Sequence, residues 1–255
     1  MKCTIHRGEA RLSRRAAVAG ASAALSLACL TAAAVPAGAG GLGGLWLLDE
    51  GSGQVAKDKS GNANNGMLGS TPGVDTHDPS WIPGAFKKTT ALRFGGDDFV
   101  TVPDSPSLES ARITVGAVVR AASNPGPYRY LASKGSLQCE TASYGLYTGA
   151  TGGLSFYVSD GSSYTLSPDA GATVWDGRWH LVAGTFDGTT VRLYVDGKQV
   201  GTGSPSTIVT AYGQSADDNF YIGAYQGTCP SVLGFVGDID AAGVLQDVVN
   251  WRPSS

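Results

Sequence analysis

The sequence predicts an all-β domain of two antiparallel layers packed face to face, and three observations lead there. Between Trp179 and Val200, β-rich runs flank Asp187-Gly188, and a second turn follows at Asp196-Gly197. Asp-Gly accepts the positive φ angles of tight hairpins, so this segment encodes three antiparallel strands. Gly and Asx residues punctuate the rest of the chain about every 8–12 residues, the spacing of a sandwich rather than of βαβ units. No run with helical periodicity stands out before the C-terminus.

The elements come in this order along the chain. Leu45-Trp46-Leu47-Leu48 is a short apolar strand, broken by Gly51-Ser52-Gly53. A polar loop from Asp58 to Gly66 precedes a strand that starts at Met67-Leu68, and Thr71 to Pro83 is irregular. Ala91 to Phe94 and Phe99 to Val102 are expected to pair as a hairpin around Gly95-Gly96-Asp97-Asp98. Pro103 to Ser110 reads as a connector with one helical turn. Ile113 to Val119 is a β-branched run suited to a central strand. Tyr128 to Ser133 should pair with the segment after Glu140, and Tyr144 to Thr148 and Leu154 to Val158 flank a Gly-rich turn. Tyr164 to Leu166, Asn219 to Ala224 and Gly234 to Leu245 supply the remaining strands, giving roughly 12–14 in one domain without internal repeats.

The two ends differ in character. Met1 to Arg15 carries five basic residues and one acid, an Ala-rich apolar run extends from Ala16 to about Val35, and Ala37-Gly38-Ala39 offers a peptidase site. This reads as a secretory signal over residues 1–39, with the Arg14-Arg15 pair resembling a twin-arginine signal, and a mature domain over 40–255. An uncleaved anchor, or lipidation at Cys29, is the alternative. Losing residues 1–39 takes the formal net charge from -3 to -7. An acidic domain without a basic stripe is a poor partner for nucleic acid or anionic lipid. Only Cys139 and Cys229 remain in the mature chain, and outside the cell they are expected to form a bridge. Two separately buried thiols are the other reading. Zinc is disfavoured, because no Cys-x-x-Cys or paired His accompanies them.

Several motifs in order carry a family resemblance. They are Leu45-Trp46-Leu47-Leu48-Asp49-Glu50-Gly51-Ser52-Gly53, Asp58-Lys59-Ser60-Gly61-Asn62 with Asn65-Gly66, Leu92-Arg93-Phe94-Gly95-Gly96 with Val100-Thr101-Val102-Pro103, the Trp179 to Val200 segment, and Phe235-Val236-Gly237-Asp238-Ile239-Asp240. Together they resemble the laminin-G-like domains of the concanavalin A-like lectin/glucanase superfamily. The resemblance implies a jelly-roll sandwich of two antiparallel sheets and a role in binding carbohydrates or proteins. It departs from the pattern after Asp240, where Ala241 replaces a Glu and the usual final run is missing.

The candidate chemistry is sparse. Glycoside cleavage needs two carboxylates about 5–10 Å apart, and the glucanase branch places them as E-x-D-x-E. The mature chain has only Glu50, Glu109 and Glu140, none with an acid two residues on. Asp238-Ile239-Asp240 puts two acids on one strand face, as a metal site, an acid pair or a structural pin. His180 reads as a structural histidine, and no Gly-x-Ser-x-Gly elbow exists. The expectation is therefore a non-catalytic, secreted carbohydrate- or surface-binding module, with an extracellular glycoside hydrolase or polysaccharide lyase, or a structural adhesion protein, as alternatives. Laminin-G-like domains often hold one calcium ion at a sandwich edge. Here Asp97, Asp98, Asp238, Asp240 and Glu50 (or Asp49) are its candidate ligands, and Asp217-Asp218 is a weaker acidic loop. Candidate sugar-binding aromatics are Tyr128, Tyr130, Tyr144, Tyr147, Tyr164, Trp175 and Tyr225, with Tyr144, Tyr147 and Tyr225 gathered on one rim if the cysteine bridge forms. Trp46 and Trp179 are assigned to the core. The partner implied is a glycan or cell-surface polymer.

Overall fold

Trp46 and Phe220 stack at 5.1 Å across the centre of the molecule, each from a different sheet. The structure, a computed structural model, describes residues 41–135, 142–214, 217–225 and 233–249. The expected export signal and both cysteines of the expected bridge, Cys139 and Cys229, lie outside the described residues.

Among the described residues, seventeen strands numbered in chain order form two antiparallel sheets. One sheet runs β14 (Lys198–Gln199), β13 (Thr190–Val195), β12 (His180–Phe186), β7 (Ile113–Arg120), β17 (Val236–Leu245), β5 (Thr90–Gly95) and β4 (Ser80–Pro83). Strand β1 (Leu42–Trp46) adds to β17, and β15 (Ser204–Pro205) to β13. The other sheet runs β11 (Tyr164–Leu166), β10 (Leu154–Ser159), β9 (Tyr144–Thr148), β8 (Tyr130–Lys134), β16 (Phe220–Ile222), β6 (Val100–Val102), β3 (Gly66–Leu68) and β2 (Val55–Ala56). The expected central strand is β7, paired with β12 on one side and β17 on the other.

Period-two alternation places Val115, Ala117 and Val119 of β7 and Leu146 and Phe156 of the facing sheet in one core. At Gly184 of β12 the sheets approach so closely that an added Cβ would overlap Cγ of Phe156. A side chain there would push the layers apart, so this position needs glycine for space, not for turn geometry.

The 179–200 segment folds as expected, and its turns explain themselves. Asp187 accepts from the backbone N–H groups of Thr189 and Thr190, both at 2.9 Å, and from the Thr189 hydroxyl at 2.8 Å. Asp196 and Gly197 both take positive φ, +50° and +74°, as a two-residue hairpin of mirror-image type requires. The expected 91–102 hairpin does not form. Strand β5 pairs with β17 and β4, whereas β6 pairs with β3 and β16 in the other sheet. Residues 96–99 therefore cross between layers. The corner is tied by the Asp98 carboxylate, which accepts from the Gly95 N–H at 2.5 Å.

Candidate functional site

On the second sheet, residues alternate between core and outer face. Leu146 of β9 and Phe156 of β10 point inward, so Tyr147 and Tyr157 point outward. Tyr130 and Tyr225 join them there. The ring centroids lie 5.2 Å apart for Tyr130 and Tyr147, 4.9 Å for Tyr130 and Tyr225, and 5.1 Å for Tyr147 and Tyr157. Gly145, the other outward position of β9, makes the cluster possible, because a Cβ there would meet the rings of Tyr157 at 2.5 Å and Tyr130 at 2.9 Å. The phenols of Tyr130 and Tyr157 hydrogen-bond at 3.0 Å, and Tyr157 also accepts from the Ala142 N–H at 2.8 Å.

Two further tyrosines extend this cluster into solvent. Tyr164 packs edge-on against Tyr157 at 6.0 Å and is 55% exposed, and Tyr128 is 49% exposed. Burial first, then the neighbouring phenols of Tyr164 and Tyr128 and the charge of Asp169, push the Tyr147 phenol up to about 12. Burial raises Tyr130 and Tyr157 as well. These phenols stay protonated at physiological pH, so the face offers ring surfaces and neutral hydrogen-bonding groups rather than acid–base chemistry.

The structure brings Tyr128, Tyr130, Tyr147, Tyr164 and Tyr225 of the sequence candidates to this face and excludes two. Tyr144 points the other way, fully buried, with its hydroxyl donating to the Leu108 carbonyl at 2.9 Å. It therefore cannot share a rim with Tyr147, because residues three apart on a strand face opposite ways. Trp175 lies in the core against Phe235, its indole N–H donating to the Gly152 carbonyl at 2.7 Å. Trp179 reverses its assignment too. It is half-buried at the surface, its ring 4.5 Å from the Arg120 guanidinium, because the core positions of β12 begin only at Val182.

The five candidate calcium ligands do not converge on one point. Asp238 sits between Arg93 and Arg120, at 2.8 and 2.5 Å. Burial disfavours its charge, but the two guanidiniums hold its carboxyl below the usual range. Asp240 accepts from the Ala85 N–H at 2.8 Å and pins the 84–89 loop, and burial raises its carboxyl. Glu50 accepts from the Lys57 N–H, and Asp98 is committed to its corner. Calcium needs six to eight converging oxygens. Asp238, Asp240 and Asp98 are already matched to other donors, whereas Oε2 of Glu50 is buried without a hydrogen-bond partner, and no three of the five candidates lie close enough together to hold one ion. Among the described residues, the three acidic side chains close enough together to hold a metal ion are Asp104, Glu109 and Asp218. The ammonium group of Lys134 fills the space between them.

The Laminin_G_3 family model, described as concanavalin A-like lectin/glucanases superfamily, matches residues 94–252. The chain belongs to this superfamily. Solved structures share its sandwich. Domain 4 of AbnA, a GH43 extracellular arabinanase from Geobacillus stearothermophilus in complex with arabinotriose, is 16% identical at a TM-score of 0.56, covering 84% of this chain and 96% of that one. The CBM40 of the Ruminococcus gnavus IT-sialidase bound to α2,3 sialyllactose is 17% identical at 0.52, covering 63% and 92%. The Trypanosoma rangeli sialidase is 16% identical at 0.55, covering 83% of this chain but only 31% of its own. At these identities the likeness establishes the fold. No curated protein sequence matches the chain.

Residues that carry the superfamily resemblance prove architectural. Asp58, in the Asp-x-Ser-Gly-Asn motif, accepts from the N–H groups of Leu45 (3.0 Å), Ser60 (2.8 Å) and Asn64 (2.9 Å). Asn64 in turn receives the Trp46 indole N–H on its carbonyl at 2.8 Å. His180 bridges Asp196 at 2.8 Å and Asp176 at 3.0 Å, the structural role expected of it. The sequence reading missed the Lys134 cage and the Arg93–Asp238–Arg120 triad. The available signal in both cases was a long cationic side chain within a strand, where a partner is required.

Proposed function

We propose that this protein is an extracellular, non-catalytic carbohydrate-binding module that takes its ligand on the tyrosine face of the second sheet. The observation that carries the reading is the row of outward tyrosines ending in the exposed rings of Tyr128 and Tyr164. Sugars present apolar C–H faces to aromatic rings and hydroxyls to polar groups, and a rigid row of phenols offers both. The buried members Tyr130, Tyr147, Tyr157 and Tyr225 pack on one another through tilted and edge-on ring contacts, and Tyr157 braces the exposed ring of Tyr164. Two structural neighbours support the class: the arabinanase domain is in complex with arabinotriose and the CBM40 with sialyllactose. A non-catalytic role is supported by the acids of the D-x-D strand, both buried and committed to other partners.

A glycan array probed with the protein and with the Tyr128→Ala/Tyr164→Ala double variant tests this. Loss of each exposed ring should weaken binding by about 1–2 kcal/mol, roughly tenfold per ring. Binding that survives in the double variant would place the ligand elsewhere, and an array with no positive saccharide would end the proposal.

A further inference from the structure

The opposite sheet carries a second feature that the tyrosine face does not explain. Arg93 of β5 and Arg120 of β7 reach toward each other over Asp238 of β17. Arg93 donates through Nε at 2.8 Å and Nη2 at 3.2 Å, and Arg120 through Nε at 2.9 Å and Nη2 at 2.5 Å. Both guanidiniums thus present their Nε side to the carboxylate. Nη1 of each, with its two N–H donors, has no hydrogen-bond partner among the described residues. The Trp179 ring beneath Arg120 fixes that guanidinium in place. Both arginines line a cleft of about 510 Å³, whose other walls include Ala122, Ser123, Pro125 and Val236.

The charges do not balance: two guanidiniums meet one carboxylate, leaving a surplus positive charge. It faces an open cleft in a protein whose mature chain is expected to be acidic. Asp238 is 5% exposed, so it serves the arginines from below and leaves their outer edges to solvent. A planar oxyanion is the group that two guanidinium edges recognise. The cleft has room for a sugar ring, and Val236, 43% exposed, and Pro125 give it apolar walls. We propose that this cleft binds the carboxylate of an acidic sugar residue, so that the module selects uronic-type polysaccharides. This rests on the glycan-binding reading above and adds a second contact point on the other sheet.

Titration calorimetry with trigalacturonate and with neutral galactotriose provides the test, read together with the Trp179 indole signal in NMR. The acidic trimer should bind at least tenfold more tightly and shift Trp179. Arg93→Gln should weaken acidic binding at least tenfold. Val236→Asp leaves the Arg–Asp–Arg set intact and places a negative charge at the cleft wall, so it should do the same in a folded protein. Equal affinity for the two trimers, or acidic binding indifferent to Val236→Asp, overturns the inference. Tetraglutamate or free acetate binding as tightly as trigalacturonate overturns it too, in favour of a peptide or a bare anion. If saccharide binding is lost only in Tyr128→Ala/Tyr164→Ala, the cleft proposal falls and the tyrosine-face reading stands. If neither trimer binds and the array is also empty, both fall.

Discussion

Lys134 is the cation whose removal should cost the fold most. Its side chain is 0% exposed, and its ammonium lies 2.8 Å from Asp104, 3.1 Å from Glu109 and 3.0 Å from Asp218. It also donates to the Asp218 carbonyl at 2.6 Å. Burial alone would strip its charge, but the hydrogen bonds to these carboxylates hold its pKa above the ordinary lysine value. The group thus ties the connector after β6, the turn at Pro106–Leu108 and the approach to β16 into one end of the sandwich. Lys134→Met keeps the length and removes the charge, leaving three carboxylates facing one another. Breaking a buried pair costs about 3–5 kcal/mol, and the half-exposed Asp104 places this case at the lower end, about 3 kcal/mol. For a domain of this size that is roughly 6–12 °C in Tm. The raised pKa means the wild-type contribution is complete below about pH 10.5 and is lost only as pH rises through the still higher folded value. In the variant the penalty is carboxylate repulsion, which protonation relieves. Thermal unfolding of both proteins at pH 7 and pH 4.5 should show the gap narrowing in acid. A gap below about 2 °C at pH 7, or one that does not change with pH, would refute the reasoning.

Four other perturbations probe single contacts. The Asp196 hydrogen bond, against opposing burial and aided by Asp176, raises the His180 pKa, so its stabilisation is complete below about pH 6.5 and fades as pH rises through the raised value. An NMR titration should find His180 above about 6.5, and His180→Gln should flatten the stability profile between about pH 6 and 8. Gly184→Ala drives a methyl into Phe156 and should cost about 1–3 kcal/mol in urea unfolding. Phe156→Leu in the same protein should recover part of that loss, because the two sites share one space. Tyr157→Phe strands the Ala142 N–H and should cost about 1–3 kcal/mol. Chelation should leave the Tm unchanged, because Asp238, Asp240 and Asp98 already have arginine or backbone partners.

The legible features of this sequence were local, and the hidden ones were pairings over distance. The 179–200 hairpins could be read because each turn is decided by adjacent residues: Asp187 satisfies the backbone beside it, and Asp196-Gly197 supplies the two positive φ angles. The segment 95–99 carries the same local signature of Gly and Asp, yet it crosses from one sheet to the other. Partners of β5 and β6 sit far along the chain, at Val236–Ile239 and Phe220–Ile222. A Gly-rich corner looks alike whether it turns back or passes over, so only those partners decide it. The tyrosines show the same limit. Alternation dictates that Tyr144 and Tyr147 oppose each other, but every residue of β9 is buried, so nothing local says which ring belongs to the core. Gly145 breaks the tie, because its missing side chain is filled by Tyr130 and Tyr157 from neighbouring strands. The charged residues carry the most readable of the hidden signals. A lysine or arginine inside a strand demands a counter-charge, and Lys134, Arg93 and Arg120 each find one. Of the acids that answer them, Asp104 and Asp218 looked like connector and turn residues, and Asp238, expected as a calcium ligand, serves the two arginines instead. Sites in a sandwich are assembled from opposite ends of the chain, so a strand cation is the clue to pursue before an acidic loop.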